Sequence, residues 1–93
     1  MSTPIIASSQ PAALHIASVA LFVRPEQLAR IQQRLVTDYR AEIHASESTG
    51  KLVAVLESEH ERAIANAIDQ LNNTAGVIHA SLVYHEIISG EDL

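Results

Sequence analysis

The chain has no cysteine and no tryptophan, and it contains only one phenylalanine, two tyrosines, three glycines and three prolines. Without cysteine it can form no disulfide, no thiolate metal site and no thiol nucleophile. Gly50, Gly76 and Gly90 stand alone, so no glycine-rich loop is available to cradle a phosphate. No nucleophile with a neighbouring base and no acid–base carboxylate pair can be found, and Glu57, Glu59 and Glu61 read instead as a helix entrance. The expectation is therefore no enzyme, no cofactor and no metal. Cations are scarce as well: six Lys and Arg against eleven Asp and Glu leave a net charge of −5. That balance argues against nucleic acid and favours a basic partner. No apolar run approaches the ~20 residues needed to cross a bilayer. Residues 1–14 carry no Lys or Arg, so they lack the positive start of a secretory signal. We expect a cytoplasmic protein with no membrane insertion and a disordered N-terminal tail over 1–14.

The 93 residues are 47% hydrophobic, supplied mainly by Ala, Val, Ile and Leu. A chain this short buries roughly 60% of its unfolded surface, enough for one core and no second domain. That domain is expected over 15–88, with a flexible C-terminus at 89–93.

The apolar run from His15 to Val23 has strand length, and Pro25 then suits the first turn of a helix. Leu28, Ile31 and Leu35 recur at helical spacing up to about Asp38. Ala41–Glu47 alternates with period two, Ser48-Thr49-Gly50 forms a turn, and Lys51–Glu57 completes a hairpin. Ser58 with Glu61 has capping-box spacing, and Ile64, Ala67, Ile68 and Leu71 form the apolar stripe of a second helix. Asn72, Asn73 and Gly76 stop that helix, and Val77–Ile87 is a β-branched final strand.

The order βαββαβ is that of a ferredoxin-like α+β fold. Right-handed crossovers then give a two-layer sandwich whose antiparallel sheet has the order 4-1-3-2, with both helices on one face. Strict alternation sends Ala17, Val19, Leu21, Ile43, Ala45, Leu52, Ala54, Leu56, Ile78, Ala80 and Leu82 inward. The uncovered face should then show Ser18, Ala20 and Phe22, His44, Val53 and Val55, and Ser81 and Val83.

His44, His79 and His85 could share that face, but His79 and His85 lie about 20 Å apart along a strand, and we read them as solvated rim residues. RNA recognition on this fold uses stacked aromatics in a basic surround, whereas Phe22 is alone in its strand and the charge is negative. What remains is an apolar stripe of Ala20, Phe22, Val53, Val55 and Val83. Its bland reading is a homodimer surface or an ACT-like small-ligand regulatory module. Its functional reading is a groove for a partner helix, approached closely over Ser18, Ala20 and Ser81, with Glu42, Glu47, Glu57 and Glu86 meeting basic residues.

The runs Ile16-Ala17-Ser18-Val19, Ser48-Thr49-Gly50-Lys51-Leu52-Val53, Gly76-Val77-Ile78 and especially Ser81-Leu82-Val83-Tyr84-His85 resemble the NapD family. These are small cytoplasmic chaperones of the periplasmic nitrate reductase, and the resemblance spans Ile16 to Glu86. It implies a chaperone that binds the twin-arginine signal peptide of the catalytic subunit and restrains its export until the molybdenum cofactor is inserted. It also implies that the groove residues Ser18, Ala20, Phe22, Glu42, His44, Val53, Val55, Glu57, Ser81 and Val83 hold that peptide, with the protein a monomer or weak homodimer. The N-terminal tail and His79 have no counterpart in the resemblance.

Overall fold

A computed structural model describes residues 13–88. The expectations for the tail before residue 13 and for the 89–93 terminus lie outside the described residues. The chain runs β1 (Leu14–Val23), a single 3-10 turn (Pro25–Gln27), α1 (Leu28–Asp38), β2 (Glu42–Ser46), β3 (Lys51–Ser58), α2 (Glu61–Asn72) and β4 (Val77–Ile88). The strands lie in the order β2-β3-β1-β4, all antiparallel, which is the expected 4-1-3-2 order read from the other edge. Strand β1 starts one residue earlier than the sequence pattern suggests, because Leu14 pairs with Ile88.

The core fills the space between one sheet face and the two helices. Its sheet side is Val19, Leu21, Val23, Leu52, Ala54, Leu56 and Ala80, and its helix side is Ile31, Leu35 and Leu71. Ala17 and Ile64 are buried as well. At about 25 cal/mol per Å² of apolar surface, each buried Leu or Ile contributes roughly 2 kcal/mol. The helices are also tied to each other and to the loops. Tyr39 Oη donates to Gln70 Oε1 at 3.3 Å, and Arg30 reaches the Ala75 carbonyl at 2.6 Å. The end of β1 is clamped from both sides, with Val23 N–H donating to the Gly50 carbonyl at 2.8 Å and Arg24 N–H to the Gly76 carbonyl at 2.9 Å.

Four expectations fail locally, three of them in the strands and one in the turn before α2. Register shifts occur between Ser18 and Val19, between Phe22 and Val23, and between Ile43 and Ala45. They leave Val83, Ile78 and His44 as the extra residues of β-bulges, and each bulge inverts the alternation beyond it. Ile78 is therefore no core residue but 65% exposed. Ala45, expected inside, pairs with Val53 on the other face, and Ser46 turns to the helices, where its hydroxyl lies 3.0 Å from Gln32 Oε1. Leu82 does sit on the helix side opposite buried Val19, but at the sheet edge, where cover is incomplete and 46% of it is exposed. Ser58 does not cap α2 either: the cap position is His60, whose N–H donates to Ser58 Oγ at 3.0 Å, so the hydroxyl closes the preceding turn.

The outer edge of β4 carries an unusual contact. Asn72 at the end of α2 donates through Nδ2 to the Ala80 carbonyl and accepts the Ala80 N–H at Oδ1, both at 2.9 Å. In an antiparallel strand both groups of one residue point the same way, here away from β1.

Candidate docking face

On the face away from the helices, paired residues stand side by side and form five rows across the sheet, the last of them the Leu14–Ile88 pair at the start of β1. Lys51, Phe22 and His79 form the first, and Ala45, Val53, Ala20 and Ser81 the second. Glu42, Val55, Ser18 and Tyr84 form the third, and Glu57, Ile16 and Glu86 the fourth. The centre is shallow because β1 and β4 contribute only Ser18, Ala20 and Ser81 there, next to half-buried Val53 and Val55. Phe22, 47% exposed, and Tyr84, 56% exposed, rise at its margins. Four strands at ~4.8 Å spacing span about 14 Å. A helix with side chains is about 10 Å across, so the trough has room for one.

The structure brings together Ser18, Ala20, Phe22, Glu42, Val53, Val55, Glu57 and Ser81 as expected from alternation. The other two sequence-derived residues sit differently. Val83 is the unpaired bulge residue of β4, 59% exposed at the sheet edge, and does not take a place in the rows. His44 is the bulge residue of β2; its Nε2 lies 3.6 Å from Glu42 Oε1 in an exposed pair that adds little stability. Tyr84, Ala45 and Ile16 belong to the face as well, and Glu86, expected among the carboxylates, stands beside Ile16. Tyr84, Glu86 and Ala45 follow bulges, which no single-strand pattern reveals. Ile16 was legible, since it keeps the alternation of Ser18.

The histidines divide between the two faces. His79 pairs with Phe22 on the bare face, whereas the Val83 bulge turns His85 to the helix side beside Ala17. There His85 stacks on His15 with ring centroids 5.2 Å apart, and Nδ1 of His15 lies 3.0 Å from Nε2 of His85. Among the described residues no three His, Asp or Glu side chains converge on a common point. Two shallow hollows of about 410 and 460 Å³ lie between the helices, lined by residues such as Arg34, Tyr39 and Gln70, away from the bare face.

Fold and face together define a small ferredoxin-like α+β domain that leaves one side of its sheet without a helix among the described residues. Residues 14–87 match the family described as NapD protein. The chain is 32% identical over 73 residues to the chaperone NapD of Haemophilus influenzae, covering 77% of this chain and 78% of that one. It is 28% identical over 72 residues to the chaperone NapD of Escherichia coli, covering 76% and 83%. The solution structure of the E. coli Tat proofreading chaperone protein NapD superposes with a TM-score of 0.69 at 27% identity, over 78% of each chain. The chain belongs to the NapD family, whose members are chaperones and not enzymes.

Proposed function

We propose that the bare sheet face binds the twin-arginine signal peptide of a periplasmic nitrate reductase catalytic subunit in the cytoplasm. Binding would restrain export of that subunit until its molybdenum cofactor is in place. The observation that carries the binding step is the trough itself: small residues Ser18, Ala20 and Ser81 beside Val53 and Val55, bordered by Glu42 and Glu57, on the face no helix covers. An apolar helical segment can seat in the trough while its basic residues meet the carboxylates. The likeness to a Tat proofreading chaperone supports the same reading. The dependence on cofactor insertion rests on the family resemblance alone.

Replacing Ala20 by Trp fills the middle of the trough without touching the core, since Ala20 pairs with Val53 and Ser81 on the bare face. Calorimetry with a synthetic twin-arginine peptide should show at least a tenfold weaker affinity, about 1.4 kcal/mol. Unchanged affinity in a variant with unchanged thermal stability would overturn the sheet-face site. A second reading has the exposed Phe22 and Tyr84 stacking against a second copy, as in a homodimer or a ligand-sensing regulatory module. Sedimentation equilibrium separates the two, because a tight dimer closed over this face leaves no site for the peptide.

A further inference from the structure

The charges on the bare face are polarised along β1. Glu57 and Glu86 flank Ile16 one row in from the Leu14–Ile88 pair that starts the strand, and Glu42 lies one row further on, beside Val55. Lys51 lies in the opposite end row, next to Phe22 and His79. Glu47 stands across the hairpin from Lys51, its N–H donating to the Lys51 carbonyl at 2.9 Å, so the surface changes from uncompensated negative charge to a balanced pair over the length of the trough.

We propose, building on the reading of this face as the signal-peptide site, that the bound segment is a helix lying along β1 in the direction of that strand. Its cationic N-terminal residues sit over Glu57, Ile16 and Glu86, and its last turn sits over Lys51 and Phe22. Two separate effects choose this direction over its reverse. The first is charge pairing: basic side chains ahead of an apolar helix meet uncompensated carboxylates at the Ile16 end but a lysine balanced by Glu47 at the Phe22 end. The second is the helix itself, whose N-terminus carries roughly half a positive charge and whose C-terminus roughly half a negative one. In the proposed direction the positive end faces Glu57 and Glu86 and the negative end faces the Glu47–Lys51 pair. In the reverse direction the negative end faces Glu57 and Glu86, and the basic residues lie over the balanced end.

Length fixes how much of the peptide is held. Ile16 and Phe22 are about 20 Å apart at ~3.3 Å per strand residue. At 1.5 Å per helical residue, that distance takes about 13 residues, between three and four turns. Small Ser18 and Ala20 lie under the middle of this span, where the helix must come closest to the sheet.

The test uses the full-length, isotopically labelled protein. The probe is a synthetic peptide with two arginines ahead of about 13 Leu- and Ala-rich residues, carrying a nitroxide at one end or the other. An N-terminal label should broaden the amide signals of Ile16, Glu57 and Glu86, and a C-terminal label those of Lys51, Phe22 and His79. The opposite pattern would overturn the direction while leaving the sheet-face site standing. Broadening confined to α1 and α2, or no binding, would overturn the site and the direction together. A second measurement needs no spin label. Glu57→Lys with Glu86→Lys should weaken the peptide at least tenfold, whereas Lys51→Glu, which meets only the helix dipole, should weaken it about two- to fivefold; equal losses from both ends would also overturn the direction.

Discussion

Two residues at turns share a positive φ but differ in how well their side chains suit it. Gly50 has φ 111°, and a Cβ there would collide with the Val23 carbonyl oxygen. Only glycine fits between the hairpin turn and the end of β1, and Gly50→Ala should cost at least about 2 kcal/mol, combining strain with a steric clash. Arg40 holds φ 54° with an exposed side chain, just before Ala41 N–H donates back to the Leu35 carbonyl at 2.9 Å. A non-glycine residue in that region carries about 1 kcal/mol of strain, partly offset on replacement by the extra freedom of glycine in the unfolded chain. Arg40→Gly should therefore raise stability by roughly 0.5 kcal/mol, and Tm by about 2–4 °C. Thermal unfolding of the two variants should move in opposite directions. The turn glycine could be recognised in the sequence, since Ser48-Thr49-Gly50 sits between two alternating runs. The strained arginine could not, because nothing in its type announces a left-handed backbone.

Among the elements, the helices and the core of β1 and β3 follow from spacing alone. Leu28, Ile31 and Leu35, like Ile64, Ala67, Ile68 and Leu71, repeat on one side of a 3.6-residue period, and the helices form there. The two edge strands are different. β2 and β4 each keep their alternation only as far as a bulge, and a bulge is decided by the strand alongside and by sheet twist. That is why Tyr84 is missing from the face expected from alternation, and why Ala45 is expected on the wrong side. The pairing gives a direct check. Leu82 opposes Val19 and Tyr84 opposes Ser18, so removal of Val83 would make consecutive residues face consecutive residues. Deleting Val83 should preserve the fold, with stability changed by no more than about 1 kcal/mol and the His15–His85 contact retained in nuclear Overhauser spectra. If the alternation of β4 ran unbroken instead, the same deletion would turn Tyr84, Glu86 and their neighbours to the opposite side and unfold the edge.

For the whole molecule, the net charge of −5 and the carboxylates at one end of the trough act on a cationic peptide before contact is made. Association should slow several-fold between roughly 50 and 500 mM salt, as the screening length falls from about 14 Å to about 4 Å. Stopped-flow rates that ignore salt would remove electrostatics from the account. A chaperone with an open sheet also faces a hazard from its own kind, because the free side of β4 could add the strand of a second copy. Asn72 meets that hazard at Ala80 by offering one donor and one acceptor where another peptide group would bind. Its amide works as a fifth strand one residue long, closing the sheet sideways while the flat of the sheet stays open to guests. Asn72→Leu should forfeit both bonds, about 1–2 kcal/mol together, and make light scattering rise with protein concentration. The flat of this sheet and its β4 margin thus have opposite characters: the one stands bare, and the other is occupied at Ala80 by a side-chain amide.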